Sequence, residues 1–141
     1  MILLDTNVIS EGFRSNPNDA ARAWLNRQRR SDLFLCAPVL AELRYGMERL
    51  PAGARRNKLG ATLQRVEEDE FLDRILPFDQ SAAHQFGRVV ARRYRLGRPI
   101  LPMDALIAAI ALVHNAVVAT RDIADFEGVG LDLIDPFMPR A

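Results

Sequence analysis

A single cysteine, a single lysine and two histidines leave several kinds of chemistry without the residues they need. Cys36 has no partner for an intramolecular disulfide, and with His84 and His114 isolated there is no His/Cys set at zinc-ligand spacing. Cys36 lies in the apolar run Leu33-Phe34-Leu35-Cys36-Ala37, where a free thiol is expected to pack as a small hydrophobe. No segment reaches the roughly 18 uninterrupted apolar residues of a membrane span, and no basic stretch precedes a long apolar one at the start, which predicts a cytoplasmic protein without membrane contact. The glycines form neither a Walker A loop nor a dinucleotide fingerprint, and a G-x-S-x-G elbow for a serine nucleophile is missing. An excess of one charge is missing too. Nineteen Lys+Arg stand against eighteen Asp+Glu, a net charge of +1, so any affinity for nucleic acid has to come from where the charge sits.

What is present is ordinary for a globular chain of 141 residues, 49% hydrophobic and 26% charged, with no repeat, linker or low-complexity stretch to divide it. One domain over 1–141 is expected. Short apolar runs alternate with longer helical patterns, the signature of an α/β fold with a parallel sheet. Strands are predicted at Ile2–Leu4, Leu33–Ala37, Ile75–Phe78, Ala116–Ala119 and Leu131–Ile134. Pro77 lacks an N–H donor and puts the third of these at an edge. Helices are predicted from Asp5-Thr6-Asn7, from Pro17 to about Arg30, from Pro38 through Leu50, from Ala54 to about Phe71 as a charged, protruding arm, and from Asp79 or Ser81 to a stop at Gly97. Met103 to Val113 is apolar almost all round, as a helix buried in mid-domain is, while Pro136 and Pro139 are expected to end the ordered chain.

Asp5, Glu42, Asp104 and Asp122 each adjoin an apolar segment where strand gives way to helix. In an open parallel sheet, ligands bind beyond the carboxyl ends of the strands, so these four side chains have a common place to meet. Each also has a plain structural reading: Asp5 and Asp104 as helix caps, Glu42 as a solvated helix edge, Asp122 and Asp125 as turn residues. Separately those readings suffice. Together they need four independent caps and turns on one rim, whereas a divalent cation accounts for all four at once. An ionised Asp104 beside Met103, Leu106 and Ile107 would otherwise cost several kcal/mol. Ligands that are all oxygen point to Mg²⁺ or Mn²⁺, and such ions support hydrolysis by activating water and stabilising the leaving oxyanion.

Four blocks carry a family resemblance: Leu3-Leu4-Asp5-Thr6-Asn7-Val8-Ile9, Pro38-Val39-Leu40-Ala41-Glu42-Leu43-Arg44-Tyr45-Gly46, Met103-Asp104-Ala105-Leu106-Ile107-Ala108, and Ala119-Thr120-Arg121-Asp122 followed by Asp125-Phe126. In that order they resemble the four motifs of the PIN-domain family, and within it the VapC-type toxins of bacterial toxin–antitoxin pairs, including the FitB-like members. The resemblance runs to the closing Leu133-Ile134-Asp135-Pro136-Phe137. It implies a PIN-like α/β fold and a Mg²⁺- or Mn²⁺-dependent endoribonuclease whose catalytic acids are Asp5, Glu42, Asp104 and Asp122. Asp5 and Asp104 would hold the metal, and Glu42 and Asp122 would complete the pocket or hold the water around it. Thr6, Asn7 or Thr120 would orient water or substrate. The fourth motif often has Asn where Asp122 stands, so Asp125 could share that role. The resemblance also implies a homodimer and a small VapB-like antitoxin that inserts a segment, often with an Arg, into the acidic groove. Operator DNA would be bound through that antitoxin.

Competing readings are weaker on the residues. A receiver domain wants paired acids after the first strand and a late Lys, and a haloacid-dehalogenase-like phosphatase wants Asp-x-Asp where this chain has Asn7. A non-catalytic PIN-like module that only binds RNA or a partner would keep four mutually repelling carboxylates for no gain. The arginines cluster at Arg27, Arg29 and Arg30, at Arg55 and Arg56, and at Arg88, Arg92, Arg93, Arg95 and Arg98. They read either as solvated helix faces or, for Arg92 and Arg93, as phosphate contacts to RNA.

Overall fold

A computed structural model describes residues 1–139. Five short parallel strands, β1 (Ile2–Leu4), β2 (Leu33–Cys36), β3 (Ile75–Leu76), β4 (Val117–Ala119) and β5 (Leu133–Ile134), form one sheet in the order β3-β2-β1-β4-β5. Its middle strands are apolar on both faces because helices cover both, and Leu3, Leu4, Leu35, Val118 and Ala119 are buried. Chain order reverses about β1, which has β2 on one side and β4 on the other. The crevice where parallel sheets bind ligands therefore opens at its carboxyl end. Register finishes the alignment: Leu4 lies opposite Ala119, and the Asp5 amide donates to the Ala119 carbonyl at 2.9 Å. Asp5 and Thr120 thus leave the sheet side by side.

The helices are α1 (Thr6–Glu11), α2 (Asp19–Arg27), α3 (Ala37–Glu48), α4 (Ala54–Arg65), α5 (Gln80–Arg95), α6 (Pro102–His114) and α7 (Ile123–Phe126). α6 is the core helix, with Ala105 and the run Ile107–Ala111 buried, and α5 lies along it through Ala82 and Val89. Asp79 caps α5 by accepting from the Ala82 amide at 2.9 Å, and Gly97 ends it with φ 72°, where a side chain would be strained. β3 sits at the sheet edge, as Pro77 requires.

Several boundaries differ from the sequence expectation for local reasons. β2 stops at Cys36 because Ala37 already belongs to α3, which follows without a loop and takes Pro38 in its first turn. α2 starts at Asp19 because the Asn18 side chain caps it, accepting from the Ala21 amide at 3.0 Å. The predicted single helix from Ala54 to Phe71 becomes α4 followed by a π turn over Val66–Glu70, closed by the Phe71 amide on the Val66 carbonyl. That wider turn brings Phe71 onto the face of Val66, so Leu63, Val66 and Phe71 all pack into the core and root the arm. The last segment is not the end of order: Pro136 is buried and the Asp135 side chain accepts from the Phe137 amide at 2.8 Å. Among the described residues no helix is long and apolar enough to cross a membrane.

Candidate active site

Asp5 is the buried centre of the site. Its Oδ1 caps α1 by accepting from the Thr6 amide at 2.8 Å, and its Oδ2 accepts from the Thr120 hydroxyl at 2.7 Å and the Asn7 amide nitrogen at 3.3 Å. The cap reading of Asp5 is therefore correct, and the cap also fixes the carboxylate at the crevice. Asn7 also donates to Asp122 Oδ2 at 3.0 Å and accepts from the Arg121 amide at 3.1 Å, tying the end of β1 to the loop after β4. Thr6 turns its hydroxyl to Glu42 Oε1 at 2.7 Å, linking α1 to α3. Thr120 is fully buried and uses its hydroxyl both ways, donating to Asp5 and accepting from the Asp122 amide at 3.0 Å. With its one donor spent and no exposed surface, it is closed to direct contact with substrate. Thr120 is a positioning residue for Asp5, and so is Asn7 for Asp5 and Asp122.

Asp104 sits in the first turn of α6, half-buried rather than enclosed in the helix interior. The N-cap is Leu101 and no side chain caps this helix, so capping does not explain Asp104. Its carboxyl is pushed up to about 6, first by burial and then by the charges of Asp5, Asp125, Glu42 and Asp122 in that order. Nothing in its surroundings pulls it back. Asp5 is also raised, mainly by burial; the hydrogen bonds from Thr120 and Thr6 oppose the shift, and the charges of Glu42 and Asp122 add to it. Asp122 and Asp125 are both exposed, at the two ends of the turn into α7. Asp122 is the one held by Asn7, while Asp125 acts more strongly on Asp104.

All four acids and Asp125 thus share one electrostatic environment, with Thr6, Asn7 and Thr120 holding Asp5, Glu42 and Asp122. Among the described residues no three His, Cys, Asp or Glu side chains close into a ready metal cage. The donor set is carboxylate oxygen alone, and among the described residues none of these five acids is ion-paired. That suits a hard ion which keeps several waters and takes only one or two carboxylates directly. Cys36 ends β2 beneath the site, but it is buried and its thiol is pushed up to about 12, first by burial and then by Asp5 and Glu42. It is core, as its sequence context predicts.

The two arginines expected to contact RNA divide. Arg93 is only 4% exposed and its guanidinium donates to the carbonyls of Arg98 and Asp125 at 2.6 Å and of Glu127 at 3.3 Å. That expectation is corrected: Arg93 fastens α5 to the chain after α7 and is closed to a phosphate. Arg92 is exposed, with its Nε donated to the Gly128 carbonyl.

The sequence profile of the PIN domain matches residues 2–130. The chain belongs to the PIN domain family. It is similar to VapC ribonuclease Y4jK of Sinorhizobium fredii, 41% identical over 139 residues and 99% of each chain. Toxin FitB of Neisseria gonorrhoeae is 39% identical over 137 residues, covering 97% of this chain and 99% of the relative. Among solved structures, that of FitAB bound to an IR36 DNA fragment superposes with a TM-score of 0.94 at 36% identity, covering 100% of this chain and 99% of that one. The PIN fold read from the four motifs is therefore the fold observed.

Interactions missed in the sequence lie at the rim. Glu11 is buried, and the Arg121 guanidinium stacks on the Phe137 ring with 3.7 Å to the centroid. The signal available was that Arg121 stands inside the Thr120-Arg121-Asp122 block and Phe137 inside the closing block.

One consequence of the geometry is direct. Thr120→Val keeps the shape but removes the hydroxyl, leaving Asp5 Oδ2 and the Asp122 amide each short of a partner. Loss of a hydrogen bond to a buried charge costs about 2 kcal/mol, and loosening a group that orients a ligand costs roughly 10- to 100-fold in activity. Denaturant unfolding and turnover, measured on the same preparation, check both figures.

Proposed function

We propose that this PIN domain, extending over 1–141, is a Mg²⁺- or Mn²⁺-dependent endoribonuclease, the toxin of a cytoplasmic toxin–antitoxin pair. The carrying observation is that Asp5 and Asp104 are both raised by burial and by neighbouring acids, with neither ion-paired among the described residues. The likeness to a protein named a VapC ribonuclease and to one named Toxin FitB supports the nuclease and toxin parts.

Asp5 and Asp104 would hold the ion, Asp5 being aimed by the Thr6 amide, Thr120 and Asn7. When bound, the cation neutralises charge on the scissile phosphate and lowers the pKa of water beside it. Glu42 has Oε1 engaged by Thr6, so Oε2 is the atom left to take the proton of the attacking water. The water oxygen bonds to phosphorus, one P–O ester bond breaks, and the departing oxygen is protonated from solvent. Asp122, held by Asn7, and Asp125 complete the acidic wall and keep water ordered around the ion.

An uncovered acidic crevice is also the surface that a small VapB-like antitoxin would occupy, with an Arg forming charge-assisted bonds to Asp5, Glu42 and Asp104. Such a partner would carry any contact to operator DNA, and the toxin would act as a homodimer. The experiment is a time course of single-stranded RNA with the purified, folded chain in excess Mg²⁺ or Mn²⁺. Progressive shortening is expected, and RNA that stays intact would leave only a binding module.

A further inference from the structure

The acidic site poses a problem for a nuclease, because a wall of carboxylates repels the polyanion it has to cut. Arg121 stands between Thr120 and Asp122 in the chain, and its backbone amide is bonded to Asn7. Its side chain is held from two directions. The guanidinium lies 3.7 Å from the Phe137 ring centroid, and one of its nitrogens is 4.0 Å from Glu11 Oε2. Glu11 itself is fixed: its side chain is 7% exposed, and Oε1 accepts from the Asn18 amide at 2.7 Å. Arg14 approaches the same Oε2 at 3.5 Å. Two guanidinium groups thus share one carboxylate, and the cluster keeps a net positive charge.

Arg121 remains 48% exposed despite these contacts. Stacking takes one face of a guanidinium and leaves its in-plane N–H groups pointing outward, which is the arrangement that meets phosphate oxygens. The arrangement is also preorganised, because the ring and the buried carboxylate restrict a side chain that would otherwise sample many rotamers. We propose that Arg121, seated on Phe137 and steered by Glu11, binds a backbone phosphate of the RNA beside the scissile one. Phe137 and Glu11 are positioning residues for that contact. This assignment rests on the ribonuclease reading of the neighbouring acids and names how its substrate is held there.

The test measures kcat and KM for a single-stranded RNA across a range of salt concentrations, with melting curves for each variant. Arg121→Ala is expected to raise KM about 10-fold with a much smaller change in kcat, as loss of a phosphate contact does. The slope of log kcat/KM against log salt should flatten by roughly 0.7, the contribution of one phosphate on a single strand. Arg121→Gln, which keeps a stem on Phe137, carries the same expectation should the Ala variant melt early. Phe137→Leu should raise KM by a smaller factor and keep the wild-type salt slope, since the charge stays. Arg29→Ala removes a still more exposed charge, 83% accessible, ahead of the amino end of β2 and away from the crevice, and should change neither quantity. Folded Arg121 variants with wild-type KM and slope would overturn the assignment alone. Wild-type protein that cuts no RNA would instead overturn the nuclease reading, and the phosphate contact with it.

Discussion

Asp104→Asn should lower RNA cleavage by roughly 10³-fold, the scale on which preorganised electrostatic groups act, while leaving a folded protein. The substitution keeps size and shape and removes only the charge that would hold the cation. Its effect on stability distinguishes this role from a cap. Asp104 is pushed up to about 6 in the folded chain from an ordinary 3.8, so the folded state holds its proton more tightly than the unfolded chain does. Stability from this group is fully present below pH 3.8 and is lost as pH rises through 6. In chelator, wild-type protein should therefore melt at lower temperature at pH 7 than at pH 5, with Asp5, also raised, adding in the same direction. Because Asp104 is half-exposed, solvent screening reduces the expected contribution to about 1 kcal/mol, or ~3 °C. Asp104→Asn should flatten that part of the profile. A variant that unfolds more easily at pH 7 yet keeps its activity when folded would return Asp104 to a purely structural role.

The second large effect is on cells. Expression of the wild-type chain alone should arrest growth, because a preformed acidic crevice with its positioning residues in place needs only a cation and RNA, both abundant in the cytoplasm. Co-expression of a cognate VapB-like antitoxin should restore growth by covering the crevice. Arg is suited to this because its fork bonds two carboxylate oxygens at once and, unlike Lys, cannot be neutralised there. Asp5→Asn should be harmless without any partner, since Asp5 is the most buried of the four site acids and the one on which Thr6, Asn7 and Thr120 all converge. Normal growth with soluble wild-type protein verified at high level would contradict the toxin reading. Arrest by the Asp5→Asn form would separate toxicity from metal-dependent cleavage.

The sheet was legible because each strand is a short apolar run bounded by a polar or breaking residue, and Pro77 alone put β3 at an edge. The acids were legible because they follow those runs directly, and the parallel register then brings Asp5 beside Thr120. Features decided by tertiary contact were harder to see. The π turn at Val66–Glu70 exists to put Phe71 on the buried face, which no local propensity encodes. Arg93 reads as one of a row of surface arginines, and only the carbonyls of Arg98, Asp125 and Glu127 draw it inside. Phe137 looked like the start of a loose tail after Pro136, yet its ring is the seat of Arg121, 16 residues earlier in the chain. Thr120 reads in the sequence as a group to orient water or substrate, and its buried hydroxyl, bonded to Asp5 and to the Asp122 amide, orients Asp5.

The most direct test of the acidic site is RNA cleavage by wild-type and Asp5→Asn protein purified side by side, first in EDTA and then with Mg²⁺ or Mn²⁺ added in excess. The account predicts shortened RNA in one arm only, wild-type protein with the cation restored. Equal cleavage by wild-type protein in EDTA, or by Asp5→Asn with Mg²⁺ present, would contradict a metal-dependent site built on Asp5.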